Sequence, residues 1–189
     1  RRQRQMCIRD SIYDTLISAK KITSSDVLRV IKKITWTSGT IYEMYRPDYS
    51  INKLSPQTSS TSLYSTNFYV MNSDFRVYEC IYNGALPSNS GAGVISLEEP
   101  THTDLQPRLE SDGYIWKYLY TIKPSDIIKF DSAEYIPVPA DWATNSAVAD
   151  VRNAAVDGKI ETIVIEDVTN ASYQFNGTKN AVPIRGDGS

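Results

Sequence analysis

One histidine and two cysteines are all that 189 residues offer to metal binding or to imidazole and thiol catalysis. Zinc sites take three or four His or Cys ligands at set spacing, which this chain cannot assemble alone. A Ser–His–Asp or Cys–His arrangement would have to use His102. That residue lies in "EEPTHTDLQP", a polar loop between prolines, where an exposed side chain is expected. Long apolar runs are lacking as well. None approaches the roughly 18 residues that span a bilayer. No apolar core follows the basic residues of "RRQRQMCIRD" in the way a signal peptide requires. The two Asn-x-Ser/Thr sites, Asn170 and Asn176, therefore carry little weight, because glycosylation needs a secretory route.

Basic charge is also scarce once the first ten residues are set apart. Met6 to Asp10, "MCIRD", resembles the translation of a transposon end used in sequencing libraries, so residues 1–10 are expected to be read-through and not evolved protein. The competing reading is a basic arm for nucleic acid. Without the four Arg and one Asp of that segment, 20 basic against 22 acidic residues become 16 against 21, or −5. A chain so charged is a poor partner for a phosphate backbone. Discounting Cys7 leaves Cys80 alone, with no intramolecular disulfide to form.

What the sequence does have is aromatic strands between polar loops. "TSSDV" supplies capping chemistry, with Ser24 or Ser25 before Asp26, and predicts a turn or two of helix over 25–31. "ITWTSGTIYEMY", residues 34–45, is aromatic and interrupted at Ser38-Gly39, where Gly39 is expected to take a conformation other residues resist. Residues 46–66 read as a long surface loop. "NFYVMNSDFRVYECIYN" predicts a hairpin: Phe68 to Met71, a turn at 72–74, and Phe75 to Tyr82 returning. By alternation, Arg76, Tyr78, Cys80 and Tyr82 share one face of the return strand.

Residues 83–111 are loop-rich, "KPSDIIKF" starts a short helix, and "EYIPVP" reads as an edge strand because Pro137 and Pro139 cannot donate to a ladder. Beyond Trp142, "SAVADVRNAAVDG" predicts a helix capped by Ser146 and stopped at Gly158. A Gly-containing β segment follows over 159–189. The expected fold class is α+β, β-rich and layered: antiparallel hairpins with a few short helices. A core domain over 11–142 precedes a helix and the start of a second, Gly-rich β domain over 143–189. The terminal "RGDGS" is turn chemistry, so the chain is expected to be a fragment.

The most informative stretch is "DGYIWKYLYTI", residues 112–122. Alternation places Tyr114, Trp116, Tyr118 and Tyr120 on one face of one strand. Each ring can bury about 150–250 Å². Four give on the order of 600–1,000 Å², worth roughly 15–25 kcal/mol gross as an upper bound. Such a patch is rarely left in water, so the stripe must be covered. A core is the leading reading, another subunit the next, and a bare stacking platform the last, since no basic residues flank the rings. The carboxylates Glu98, Glu99, Asp104 and Glu110 would be the acids of a glycan-cleaving site, against a plainer reading as solvated surface charge.

In order along the chain, "SSDV", "ITWTSGTIYEMY", "NFYVMNSDFRVYECIYN", "DGYIWKYLYTI" and "EYIPVP" resemble the baseplate wedge subunit of T-even-like contractile-tailed phages, the gene-eight product family, in its cyanophage form. The resemblance covers about residues 12–142. It implies a structural protein of the virion tail, without enzymatic activity or cofactor, that dimerises and packs among other wedge subunits. No nucleic acid, membrane or small-molecule substrate is implied as a partner. The residues that carry the family pattern are Trp36, Gly39, Tyr42, Tyr69, Tyr78, Cys80, Asp112, Gly113, Tyr114, Trp116 and Tyr118, with Tyr120 completing the stripe. They are hallmarks of fold and interface. This sequence departs from the family pattern at its start, where residues 1–10 stand in place of the family's N-terminal segment, which puts any domain or dimer contact built by that segment in doubt. The alternative from another class is a receptor- or glycan-binding module of a tail fibre or tailspike.

Overall fold

Two strands rich in aromatic and β-branched residues, the types that suit a pleated and covered surface, organise the chain. They are β3, Arg76–Asn83, and β5, Tyr114–Thr121, paired antiparallel at the centre of a four-stranded sheet. The computed structural model describes residues 17–46, 49–52, 58–85 and 92–155. Within them β1 is Val30–Lys32, β2 is Tyr69–Met71, β4 is Arg108–Leu109 and β6 is Tyr135–Pro137. Helix α1 is Pro124–Phe130 and α2 is Ala149–Ala154. The larger sheet runs β2-β3-β5-β4, and β1 pairs with β6 in a second, two-stranded sheet. All named ladders are antiparallel. With only two short helices among the described residues, this is a β-rich α+β fold.

The β2–β3 hairpin forms as the sequence predicts. Its turn is held by Asn72, whose side-chain oxygen accepts from the N–H groups of Asp74 and Arg76, both at 2.9 Å. Phe75 closes the turn at φ +58°, a left-handed conformation that non-glycine residues adopt only when the surroundings hold them there. On the outer side of β2, the segment 34–36 adds one parallel bridge: Trp36 N–H donates to Met71 O at 2.9 Å and Met71 N–H to Ile34 O at 2.7 Å.

The predicted helix over 25–31 is corrected. Only Ser24–Asp26 is helical, as one 3-10 turn, and Val30–Lys32 is a strand. Ile31 pairs with Ile136 there, and a ladder to a strand about a hundred residues away outweighs local capping chemistry. "EYIPVP" is a strand of that two-stranded sheet, in keeping with its prolines. Near the end of the described chain, Asn145 and not Ser146 is the cap, accepting from Ala147 N–H at 3.0 Å. The helix that follows ends at Ala154; Gly158 and residues 159–189, with the expected second β domain, lie outside the described residues, as do residues 1–10.

Both faces of the central sheet are covered. One core holds Tyr42, Val70, Tyr78, Cys80, Tyr114 and Trp116, with Ile34, Trp36, Val94 and Tyr118 against it. The other holds Met71, Val77, Tyr120, Ile122, Ile136 and Val148, with Ile31, Tyr69, Phe75, Leu119 and Ile127 around them. The first lies under the loops around 34–45 and 94–102. The second lies under the small sheet, α1 and the 146–154 segment, which packs on β5.

The predicted four-ring face is corrected by register. Tyr78 pairs with Tyr118, but the next residue, Val77, pairs with Tyr120. Leu119 is the extra residue of a β-bulge, and a bulge shifts the alternation of everything after it. Tyr114, Trp116 and Tyr118 therefore share the first core, while Tyr120 enters the second. A second shift at Ile81 pairs Tyr82 with Ile115, which moves Tyr82 off the face of Cys80.

Candidate functional site

Tyr42, Tyr78, Cys80, Tyr114 and Trp116 converge on the first core, with Trp36 and Tyr118 against it, whereas Tyr69 and Tyr120 belong to the second. Tyr114 stacks on Trp116 with ring centres 5.4 Å apart and planes 12° apart. Tyr42 meets both edge-on, at 6.4 Å from Tyr114 and 5.6 Å from Trp116. These edge-to-face and stacked geometries suit the ring quadrupoles. The hydroxyls of Tyr42 and Tyr114 are used internally, whereas the buried Trp116 Nε1 has no hydrogen-bond partner. Tyr114 Oη donates to Val94 O at 2.6 Å and accepts from Tyr42 N–H at 3.1 Å. Tyr42 Oη accepts from Thr37 N–H at 2.7 Å. Trp116 has no exposed surface. Its ring cannot serve as an open stacking platform.

Asp112 and Gly113 form the turn that starts β5. Asp112 Oδ2 accepts from Leu97 N–H at 2.8 Å, Glu98 N–H at 3.0 Å and Ser96 Oγ at 3.1 Å, while Oδ1 accepts from Tyr114 N–H at 3.1 Å. Burial alone would raise this carboxyl's pKa, but the hydrogen bonds together hold it below the ordinary value. Ser96 is fully buried and also accepts from Trp36 Nε1–H at 3.1 Å. Gly39 donates its N–H to Ser96 O at 2.7 Å and takes φ +83°, as expected of it. Thus Trp36, Gly39, Asp112 and Gly113, distant in sequence, knot the 34–45 and 94–98 segments to the start of β5.

Cys80 pairs with Trp116 across the sheet and is fully buried. Burial pushes its thiol well above the ordinary value, the opposite of what a nucleophile needs. Tyr69 is half-buried, faces the second core, and donates Oη–H to Lys32 O at 2.6 Å, joining the two sheets. Tyr120 donates to Pro137 O at 3.3 Å on that same side.

His102 is buried and not exposed, correcting the expectation from its polar loop: 7% of its surface remains accessible. The reason is a strap that the sequence does not announce. Three successive carbonyls take hydrogen bonds from side chains of the hairpin: Pro100 O from Asn72 Nδ2 at 2.9 Å, Thr101 O from Arg76 Nη1, and His102 O from Tyr78 Oη at 2.6 Å. Glu99 begins the strap by accepting from Ser73 N–H at 2.7 Å. The imidazole then lies edge-on against the Tyr78 ring at 5.3 Å. Burial pushes the Tyr78 phenol up to about 12.

The carboxylates considered for glycan cleavage are engaged separately. Glu99 holds the strap, Glu98 is exposed, and Asp104 and Glu110 flank Arg108 at 3.5 and 3.9 Å. Among the described residues no three His, Cys, Asp or Glu side chains are grouped to hold a metal ion, and no helix is long and apolar enough to cross a membrane. Comparison with protein-family models, with curated proteins and with solved structures finds no match for this chain.

Proposed function

We propose that this chain is a structural component of a phage tail baseplate wedge, mediating subunit assembly in the virion. The observation that carries the reading is the use made of its rings: Tyr42, Tyr78, Tyr114 and Trp116 are enclosed by the chain's own segments, with at most 1% of their surface exposed. Rings so placed stiffen a scaffold and hold its loops in register; they are not presented to a ligand. The ordered resemblance of five motifs to the wedge subunit supports the same reading, as does the β-rich α+β fold. The parts that remain for partners are the loops and sheet edges, where Tyr45, Tyr64, Tyr135 and Trp142 are exposed. Tyr and Trp are favoured at subunit interfaces because they bury area and keep a polar atom.

The test is assembly. The complete protein is expected to sediment as a stable dimer and to co-purify with other wedge subunits expressed beside it. A monomer that captures none of them would overturn the reading. A receptor- or glycan-binding module of a tail fibre needs aromatic rings lined up in an open groove. The burial of Trp116 favours the scaffold over that alternative, and a glycan array is expected to give no hits.

A further inference from the structure

The strap of Glu99–His102 makes no ladder with the sheet beneath it. Its seat on the hairpin consists of hydrogen bonds from Asn72, Arg76 and Tyr78 side chains to its carbonyls, the Ser73–Glu99 contact and the packing of the imidazole on Tyr78. Neither ring nitrogen of His102 makes a hydrogen bond of normal geometry, although both are buried. A neutral imidazole tolerates that burial better than an imidazolium, which adds a second N–H and a charge to a desolvated site.

We propose that His102 is a proton-operated latch: the neutral ring seats the Glu99–His102 strap on Tyr78, and protonation releases the strap from the sheet.

The surrounding charges have been weighed by the fold itself. Burial is the largest influence on the ring and disfavours its charged form. Glu110, beyond β4, and Asp104, on the loop after the strap, favour the charged form, and Arg108 on β4 opposes it. The Trp116 backbone on β5 favours the charged form too, as the weakest of these influences. From β3 the ring meets the Tyr78 phenol, with Arg76 nearby on the strap's Thr101. Both carboxylates also lie beside Arg108, which dilutes their pull on the imidazole. The balance holds the ring below its ordinary 6.5.

The sign follows. A histidine whose seated form resists protonation contributes its full stabilisation above about 6.5, and that contribution is lost as pH falls below it. One proton is coupled, so strap opening rises by at most about tenfold per pH unit. Release uncovers the Tyr78 ring and Pro100 but breaks no ladder, and Leu97, Glu98, Thr101, Thr103, Asp104 and Leu105 are already exposed, so the opening is local.

The chain's only histidine makes the experiment clean. The imidazole is titrated by NMR in the intact chain. In parallel, hydrogen exchange is followed for peptides covering 97–107 between pH 7.5 and 5, corrected for intrinsic rates. The expected result is a ring midpoint below 6.5 and strap exchange that accelerates severalfold as pH falls, with β3 and β5 still protected. His102→Phe keeps a ring and removes the proton site, so its strap exchange should be flat over that range. A midpoint at or above 6.5 overturns the latch. So does strap exchange that ignores pH, or opening of β3 and β5 together with the strap. If His102→Phe does not fold, the titration and exchange of the unaltered chain decide the matter.

Discussion

Tyr118 and Tyr120 stand two residues apart on one strand and point to opposite sides of the sheet. Tyr118 meets the Tyr78 ring at 5.9 Å in the first core, and Tyr120 pairs with Val77 over the second. The bulge at Leu119 thus lets one strand feed aromatic rings to two cores, and it fixes which loops each core can hold.

Deleting Leu119 makes Tyr118 and Tyr120 sequence neighbours, and strict alternation then holds them on opposite faces, with Tyr120 still over Val77. Leu119→Ala keeps the bulge and trims a half-buried side chain, for about 1–2 kcal/mol. Urea denaturation should therefore place the deletion close to the Ala variant, since both lose the Leu119 side chain and keep Tyr120 in the second core. A deletion far less stable than the Ala variant would mean that Leu119 is not the extra residue in the pairing of β3 with β5.

These two residues also mark where the sequence stops being readable. The strands β3 and β5 and the β2–β3 hairpin were legible because aromatic and β-branched residues alternate between turn signals. The bulge was not, because alternation continues unbroken through "YIWKYLYT" and only the pairing with β3 reveals the extra residue. Val30–Lys32 was missed for a related reason: its partner is β6, and local capping residues spoke for a helix. Gly39 was visible as turn chemistry, and Asp112 and Gly113 only as part of the family pattern. Their convergence on Ser96 was not, since nothing in "GAGVIS" marks that serine as a junction. His102 was misplaced because the side chains that bury it belong to a hairpin some 25 residues earlier. A polar loop looks solvated when its anchors are side-chain hydrogen bonds from elsewhere.

Asp112 is the second test, because four hydrogen bonds meet on one carboxylate. Asp112→Ala leaves the buried Ser96 hydroxyl and three backbone N–H groups without that acceptor, at about 1–3 kcal/mol. The pH dependence is more specific. The folded carboxyl titrates below its ordinary 3.8, so its stabilisation is present above 3.8 and is lost as pH falls through the folded value. Asp26 is also lowered, by hydrogen bonds from Thr23, and contributes to the same acid limb. The difference between the unaltered chain and Asp112→Asn isolates the Asp112 share. That difference should shrink as pH falls below 3.8 and stay constant above it, read from urea midpoints. A gap that persists unchanged in acid would mean the charge on Asp112 contributes nothing.

Two glycines separate backbone strain from crowding. Gly113 sits at φ +90°, and a Cβ there would meet nothing within 4 Å. Gly113→Ala should therefore show the conformational cost alone, about 1–2 kcal/mol. Gly84 sits at φ +70°, and its Cβ would lie 2.7 Å from Val94 Cγ2. Gly84→Ala carries the same strain plus a clash against a residue of the first core, so it should be the more damaging of the two. Val94→Ala removes the opposing methyl groups. In a double-mutant cycle it should recover part of the Gly84→Ala loss. It should be additive with Gly113→Ala, whose added methyl meets no neighbour. Additivity at both positions would show that Val94 yields freely and that Gly84 is needed only for its backbone angle. Coupling at Gly84 alone would establish that Val94 seats the loop after β3 onto the ring cluster, the same loop whose Val94 carbonyl receives the Tyr114 hydroxyl.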